Sequence, residues 1–404
     1  MRRLRFLLAL CISALSAVAL SAAEEQPAAE GQPPAPERVS LLTCSPGQDA
    51  YTRFGHTALR VQTAGGEDLV FNYGIFSFRT DHFIYRFVKG ETDYELGLQT
   101  FDHFVDRYTS EGFSVSEQDL NLSAEERMAV ARFLAVNYLP ENRIYRYNFL
   151  YDNCTTRALD ALEQALPQPL DFSASTDTAA LTHRDIIRRC VAAAPWLSFG
   201  IDMVLGAEAD HPLTGSNWRK RLFIPAILQE NLRVTGLVAS ERDYVPTQPM
   251  AAEKATPVTP LRVACVLLIA AIVLSCTERR HRGPACVALG FDIALHTLQG
   301  LAGCIVAFLF FLSEHPAVGT NWLVICLNPL AFVLVAQDIH LFRRRRGLWR
   351  MGRVDVLETV NLAALLLTSL LACTPLQVIH PAMRLLALIL IIRSLSHLYS
   401  THHP

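Results

Sequence analysis

Cys154 is the residue of this chain whose type and position best suit nucleophilic chemistry. It lies where a helix is expected to begin, because Leu159, Leu162 and Leu166 follow it at helical spacing and Pro167 closes the run. The N-terminus of a helix presents unpaired N–H groups and a partial positive charge, which favour a thiolate over a thiol. The sequence therefore predicts that Cys154 acts as a nucleophile.

His56 is the candidate base for this thiolate. It follows Gly55 at the start of a predicted strand over residues 56–62. A histidine on a strand that faces a cysteine at a helix start is the arrangement of papain-type thiol enzymes. The histidine here precedes the cysteine in the chain, which is the order of the circularly permuted branch of that superfamily. A core histidine and an inert, half-buried thiol are the structural alternative.

Cys44 is an alternative nucleophile because it lies close to His56 in sequence. It ends a predicted strand over residues 39–44 and precedes a Pro-Gly turn, so it lacks the partial charge of a helix terminus. A disulfide or a buried thiol is the simpler interpretation of this residue.

Papain-type sites orient the histidine with a third polar group. Asn72, Asp68 and His103 are the candidates for that role. Asn153 and Thr155 flank the nucleophile and are candidates for orienting or oxyanion-stabilising groups, as are the helix N–H groups that follow it. We expect neither a metal ion nor a cofactor at this site.

The composition places part of the chain in a membrane. The chain has 404 residues, of which 51% are hydrophobic and 18% charged, and its mean hydropathy of +0.24 is too high for a soluble domain of this size. The formal net charge of −2 gives no indication of a nucleic-acid partner.

Changes of composition along the chain divide it into six segments. A basic start followed by an apolar run and small residues predicts a secretory signal peptide, and a Pro/Ala/Thr-rich stretch predicts a linker after the folded exported domain. Five apolar runs then predict a helical membrane domain. The predicted segments are a signal peptide at 1–23, a flexible spacer at 24–38, the catalytic domain at 39–244, the linker at 245–260, five transmembrane helices within 261–396, and a tail at 397–404.

Charges in the loops predict the orientation of these helices. Arginines cluster at 279–282 and 343–353 and recur at Arg393, whereas the intervening loops 313–320 and 374–381 carry no lysine or arginine. Basic loops stay in the cytoplasm. The pattern therefore predicts an exported N-terminal domain and a cytoplasmic C-terminus.

The cysteine count bears on which thiol is free. Of the ten cysteines, the exported domain keeps Cys44, Cys154 and Cys190. Because three is an odd number, at least one thiol stays unpaired within this chain in an oxidising compartment. A bridge between Cys44 and Cys190 would leave Cys154 free, although the sequence does not establish that pairing.

Several motifs in the exported part resemble a known family. They resemble the N-terminal periplasmic domain of the Lnb lipoprotein N-acyltransferases of Bacteroidota, and more broadly the permuted relatives of NlpC/P60 peptidases, which include lecithin:retinol acyltransferase. The motifs are LLTCSPG at 41–47, RFGHTALRV at 53–61, FNYG at 71–74, PENR at 140–143 and YDNCTTR at 151–157. The resemblance extends more loosely to His315-Pro316, Asn321-Trp322 and Asn328-Pro329 in the membrane part.

The resemblance implies an α+β, permuted papain-like periplasmic domain followed by an all-α bundle of five transmembrane helices in the bacterial inner membrane. It implies that Cys154 takes an acyl chain from a membrane phospholipid as a thioester. The N-terminal amine of a lipidated lipoprotein cysteine would then receive that chain, with His56 accepting its proton. The expected partners are thus a phospholipid donor, a lipoprotein acceptor and the membrane.

Other polar residues suggest weaker expectations. Arg384, His380 and His315 lie at the outer ends of predicted spans and are candidates for binding a phospholipid phosphate. Asp202 and Asp210 flank Gly206 and would suit a cation, with capping or surface roles as the alternative.

Two other functions remain open from the sequence alone. One is a membrane-anchored cysteine peptidase or amidase acting on the cell wall. The other is a non-catalytic envelope assembly or sensing protein in which the cysteine and histidine have lost their role.

Overall fold

The computed structural model describes residues 35–76, 81–175, 179–245, 256–278, 282–344 and 354–402. The predicted signal peptide, most of the predicted spacer and linker, and most of the two arginine-rich loops lie outside the described residues. Two regions follow each other along the described chain: a mixed α+β region built on a sheet, and a helical region.

Seven strands form one antiparallel sheet in the order β6-β4-β3-β2-β1-β5-β7. Alternate side chains of the central strands face opposite sides of this sheet, so each central strand contributes to two cores. The strands are β1 Pro36–Cys44, β2 His56–Thr63, β3 Asp68–Ile75, β4 Asp93–Thr100, β5 Val115–Leu120, β6 Ile144–Arg146 and β7 Val238–Val245.

Seven α-helices surround the sheet within the described residues of this region. On one face, Leu41 and Leu59 pack with Leu134 and Leu162 from the third and fourth helices, and on the other, Val70 packs with residues of the second helix. The helices are α1 Phe83–Lys89, α2 Phe101–Ser110, α3 Ala124–Tyr138, α4 Cys154–Ala165, α5 His183–Cys190, α6 Pro195–Val204 and α7 Pro225–Leu232.

The membrane part contains five α-helices among its described residues. Three of them contain stretches long and apolar enough to cross a membrane, at Pro260–Thr277, Gly283–Leu312 and Pro381–Tyr399, while Ala331–His340 and Val356–Leu371 are shorter apolar stretches. The helices are α8 Pro260–Thr277, α9 Arg282–Leu312, α10 Ala331–Arg344, α11 Val354–Leu371 and α12 Pro381–His402.

One of the five apolar runs that predict the membrane helices covers residues 322–335, but these residues do not form one helix. A 3₁₀ turn occupies Trp322–Ile325, and α10 begins only at Ala331, after Pro329. The side chain of Asn328 bonds the N–H of Leu330 and the carbonyl of Ile325, at 3.1 and 2.9 Å. Apolarity alone therefore misplaced the start of this helix, because proline cannot donate the backbone hydrogen bond that a continuous helix requires.

Arg393 does not lie in a loop, contrary to the sequence-based expectation. It lies inside α12, where its guanidinium contacts Asp292 at 2.7 Å and Glu278 at 2.8 Å. His397 also bonds Asp292, at 2.9 Å. Burial of a charge in an apolar bundle is tolerated because these partners satisfy it. α12 also continues to His402, through much of the segment predicted as a tail.

The sheet region and the membrane helices are joined by direct backbone contacts. The N–H of Gly206 donates to Ala317 O at 2.7 Å, and the N–H of Ala207 donates to Thr320 O at 3.1 Å. A Cβ on Gly206 would lie 2.6 Å from the carbonyl carbon of Thr320, which is too close for any other residue. The loop between α9 and α10 thus packs tightly against the sheet region.

Arg184 organises this junction from the inside. It is 1% exposed, and its guanidinium binds Asp210 at 2.7 Å and Asp202 at 3.2 Å. Asp210 in turn accepts the N–H of Val378, in the loop before α12, at 3.1 Å. The two aspartates are therefore buried partners of an arginine, which corrects the expectation of a surface, capping or cation-binding role.

Candidate active site

Asn153 sets the start of the helix that carries Cys154. Its side-chain oxygen accepts the N–H groups of Thr155 and Thr156 at 2.8 and 3.0 Å, which caps α4. Its side-chain nitrogen donates to Phe149 O and Phe223 O at 2.8 and 2.9 Å. Asn153 is thus a structural cap whose polar atoms are already occupied, and Cys154 is the first residue of α4.

The same contacts correct the predicted oxyanion site. The N–H groups of Thr155 and Thr156 were expected to bind an oxyanion, but the Asn153 side chain takes both. The Thr155 hydroxyl lies 3.8 Å from the Cys154 sulfur and 3.2 Å from the Thr57 hydroxyl. Thr155 therefore holds the thiol and strand β2 together, and the N–H of Cys154 is the first-turn amide that the cap does not use.

His56 meets Cys154 at the point where strands β2 and β3 part. The paired stretch of these strands ends at Leu59 and Phe71, so His56 lies beyond the ladder and beside the N-terminus of α4. Its Nε2 donates to the Oδ1 of Asn72 at 2.5 Å. Because Nε2 is engaged there, Nδ1 is the ring nitrogen left for the hydrogen bond with Cys154.

Of the three candidates for a polar group that orients His56, Asn72 is the one that contacts it. It is 1% exposed, on the strand next to that of His56. The other two candidates lie elsewhere: Asp68 pairs with Arg60 at 2.6 Å, and His103 is exposed and bonds Gln99 at 3.2 Å. The geometry thus brings together a cysteine, a histidine and an asparagine.

Electrostatics favour an ion pair between the thiol and the imidazole. Burial would raise the pKa of Cys154, but the charge and hydrogen bond of His56, a backbone bond from Thr57 and the Thr155 hydroxyl together lower it. Burial would lower the pKa of His56, but the charge and hydrogen bond of Cys154 and the bond to Asn72 together raise it. Both shifts favour a thiolate beside an imidazolium.

Gly74 keeps the space beside the thiol open. It adopts a φ of +94° at a β-bulge between Tyr73 and Ile75. A Cβ at this position would lie 3.7 Å from the Cβ of Cys154, 3.9 Å from the hydroxyl of Tyr145 and 4.0 Å from Cε1 of His56. Three reactive or polar groups therefore converge on one glycine.

Tyr145 also lies at the site, although no sequence motif singles it out. Its hydroxyl is buried and has no hydrogen-bond partner within the part of the chain that the structure describes. Burial raises the pKa of this hydroxyl above its ordinary value, so it keeps its proton as a donor. The ring is covered by the guanidinium of Arg157 at 3.6 Å, and Arg157 is held by both oxygens of Asp152, at 2.5 and 2.8 Å. The Asp and Arg of the YDNCTTR motif thus position a tyrosine next to Cys154.

Cys44 lies close to the site but is poorly placed to react. It is buried at the end of β1, directly opposite His56 in the ladder. Burial raises the pKa of its thiol well above the usual value, and thiolates are the reactive form. Cys44 and Cys190 are both free thiols, so the bridge that the cysteine count allowed is absent.

The three residues suggested for phosphate binding are not gathered around the thiol. His315 bonds Phe87 O at 2.8 Å, at the end of α1. His380 accepts the N–H of Ala382 at 3.1 Å at the start of α12, and the exposed Arg384 bonds Ile379 O at 3.1 Å. Among the described residues, no group of three His, Cys, Asp or Glu side chains is placed to hold a metal ion.

Comparison with known proteins identifies the family. No curated protein and no solved structure matches the chain. The model of the Lnb N-terminal periplasmic domain matches residues 26–189, and the model of the Lnb transmembrane domain matches residues 252–403. These matches confirm the resemblance of the motifs, and the chain belongs to the Lnb family, as a membrane protein with an N-terminal periplasmic domain and a C-terminal transmembrane domain.

Proposed function

We propose that the protein is a lipoprotein N-acyltransferase that carries a fatty acyl chain on Cys154. The observation that carries this proposal is the contact of a helix-terminal thiol with a histidine whose far nitrogen is fixed by Asn72 at 2.5 Å. The arrangement supports thiol catalysis, and its attachment to membrane helices supports a lipid substrate.

In the first step, the Cys154 thiolate attacks the ester carbonyl carbon of a phospholipid. The negative charge that develops on the carbonyl oxygen is stabilised by the N–H of Cys154 and the hydroxyl of Tyr145. The bond from the acyl carbon to the glycerol oxygen then breaks, and the imidazolium of His56 protonates that oxygen. The products are a thioester on Cys154 and a lysophospholipid.

In the second step, the free α-amine of a lipidated N-terminal cysteine attacks the thioester carbon. Neutral His56 accepts a proton from the attacking nitrogen, the carbon–sulfur bond breaks, and the thiolate is regenerated as the amide forms. A thioester suits this use because amines displace it more readily than they displace an ester.

We place five spans in the inner membrane, with α10 and α11 as the two short ones, and the C-terminus in the cytoplasm. The strand-borne histidine before a helix-terminal cysteine supports a permuted papain-like relationship for the catalytic domain.

Two measurements test this function, one on the lipoproteins of Cys154→Ala cells and one on the purified protein with Cys154 in place. Cys190→Ala is the matched control for loss of an exported thiol in the cells. The intact mass of a lipoprotein should fall by one acyl chain only in Cys154→Ala cells, and an unchanged mass would refute the acyltransferase. Purified protein incubated with an alkyne-labelled phospholipid should gain a hydroxylamine-labile label on Cys154. A label that depends on Cys44 instead would show that the other thiol is the nucleophile.

A further inference from the structure

Helix α1 exposes an apolar face that the sheet region does not cover. Ile84 is 77% exposed and Tyr85 is 54% exposed, and the exposed side chain of Phe87 lies one turn further on. The basic residues of this helix do not add charge to that face, because Arg86 pairs with Asp93 at 3.2 Å and Lys89 pairs with Glu91. The face suits an uncharged apolar partner.

The end of α1 is fixed to the outer end of a membrane helix. Helix α9 ends at Leu312, and the next three residues bond the last carbonyls of α1. Ser313 donates its hydroxyl to Val88 O at 2.9 Å, and Glu314 donates its N–H to Lys89 O at 2.7 Å; His315 bonds the carbonyl before these two. The end of α1 therefore lies at the level where α9 leaves the membrane.

Side chains of the two helices also meet. The ring of Tyr85 packs edge-on against Phe308 of α9, with centroids 6.0 Å apart. The last turn of α9 exposes Phe311 and Leu312. The apolar face of α1 thus adjoins the lipid-facing surface of a membrane span, and aromatic residues favour this level of a bilayer.

A row of aromatic rings connects α1 with the interior of the catalytic domain. The rings of Phe87 and Phe83 stack with their centroids 6.1 Å apart, and those of Phe83 and Phe76 stack with their centroids 5.6 Å apart. Phe76 contacts Tyr94 at 5.0 Å, and Tyr94 stacks on Tyr147 at 4.1 Å. Tyr147, Phe76 and the nucleophile Cys154 pack against the same hydrophobic core.

We propose that α1 lies in the outer leaflet of the membrane and that this aromatic row binds the fatty acyl chain of the phospholipid donor on its way to Cys154. The inference rests on the proposed acyltransferase function and adds the place where the donor enters. A bilayer, rather than a protein, is the partner because the face continues the surface of a membrane helix and carries no unpaired charge among its described residues.

Photocrosslinking in proteoliposomes tests the lipid contact without requiring catalysis. Ile84 is replaced by p-benzoylphenylalanine in the full chain, in vesicles of phosphatidylethanolamine and phosphatidylglycerol with an alkyne on the acyl chain. The matched control is the same replacement at Val136 on α3, which is 48% exposed. We expect lipid crosslinking at position 84 and little at position 136. Equal crosslinking at the two positions would overturn the proposal.

Donor selectivity tests the path to the thiol. Ile84→Asp should lower acylation of Cys154 by the phospholipid about tenfold, the factor that corresponds to burying one large aliphatic side chain. Acylation by the water-soluble ester p-nitrophenyl butyrate should be unchanged, and Val136→Asp should change neither rate. An Ile84→Asp protein that loses both activities or neither would refute the path.

The two tests separate the inference from the function on which it rests. Acylation of wild-type Cys154 without crosslinking at position 84 would refute the α1 path alone. Strong crosslinking with no acylation of Cys154 by either donor would refute the acyltransferase, and with it the path, while the lipid contact of α1 would remain.

Discussion

Removing the Asn72 side chain should slow acylation of Cys154, because His56 loses the group that orients its ring. Asn72→Ala deletes the acceptor that lies 2.5 Å from Nε2 of His56, in a position that is 1% exposed to solvent. A buried donor that loses its partner costs about 1–3 kcal/mol. At about 1.4 kcal/mol per factor of ten, acylation of Cys154 should slow roughly 5- to 150-fold.

The pH dependence distinguishes orientation of His56 from a general loss of structure. The bond to Asn72 is one of the causes that raise the pKa of His56. Its removal should therefore move the alkaline limb of the acylation rate to lower pH. The assay is single-turnover labelling of Cys154 by an alkyne phospholipid, measured across a pH series and quantified by mass spectrometry of the Cys154 peptide.

His103→Ala is the matched control, since His103 was a rival orienting group and is exposed on α2. We expect its rate and pH profile to equal those of the wild type. An Asn72→Ala protein that keeps the wild-type rate and the wild-type alkaline limb would refute the assigned role of Asn72.

Four further outcomes follow from the site and the junction. The acylation rate of the wild type should be bell-shaped in pH, rising as the lowered pKa of Cys154 is passed and falling as the raised pKa of His56 is passed; a rate that only rises with pH would exclude the ion pair. Tyr145→Phe should lower that rate by about 100- to 1,000-fold if its hydroxyl binds the oxyanion, while iodoacetamide should still alkylate Cys154 at the normal rate. Gly74→Ala should cost at least about 1 kcal/mol in unfolding free energy because of its positive φ, measured by denaturation, and should also block acylation, whereas Gly66→Ala, also at positive φ but with nothing within 4 Å, should cost stability only. Arg184→Met leaves the buried carboxylate of Asp210 without its arginine, while Asp202 keeps Arg188 at 2.9 Å, and should destabilise the protein by about 3–5 kcal/mol, visible as a lower melting temperature in detergent; an unchanged melting temperature would contradict the junction as described.

The positions of Cys154 at a helix start and of His56 at a strand start were predictable because each depends on local sequence. Leucine spacing and a polar cap indicate a helix that starts at Cys154, and alternation after Gly55 indicates a strand that starts at His56. Asn72 was one of three candidates, and only the pairing of β2 with β3 decides among them. Local patterns thus locate the candidate cysteine and histidine, while the choice among the polar partners of His56 requires the sheet register.

Tyr145 could not be found in this way. Strand β6, which carries Tyr145, has only three residues, so its sequence is typical of a loop. The position of Tyr145 is set by the pairing of β6 with β4, some fifty residues earlier in the chain. A signal was present in the motif around the cysteine, since an aspartate and an arginine five positions apart suit an ion pair. The sequence does not tell which ring such a pair would cover.

The charged residues of the membrane part show the same limit. Arg393 was assigned to a loop because it follows the last apolar run and continues the alternation of basic loops. Its burial depends on Asp292 and Glu278 from two other helices. The hydrophobic periodicity of a sequence does not predict contacts between side chains of different helices. Similarly, Asp202 and Asp210 look like surface residues until Arg184 is placed between them.

Under the proposed acyltransferase function, the junction built on Arg184 has a consequence for which lipids can react. Since loops from both outer ends of the membrane part bond the segment around Gly206, the sheet region cannot tilt or rise relative to the bilayer without breaking those bonds. The distance between the Cys154 sulfur and the membrane surface is then fixed. The enzyme would then favour phospholipids whose ester carbonyl can reach the sulfur with the least movement out of the leaflet. The donor and the acceptor would each have to approach a thiol that does not move.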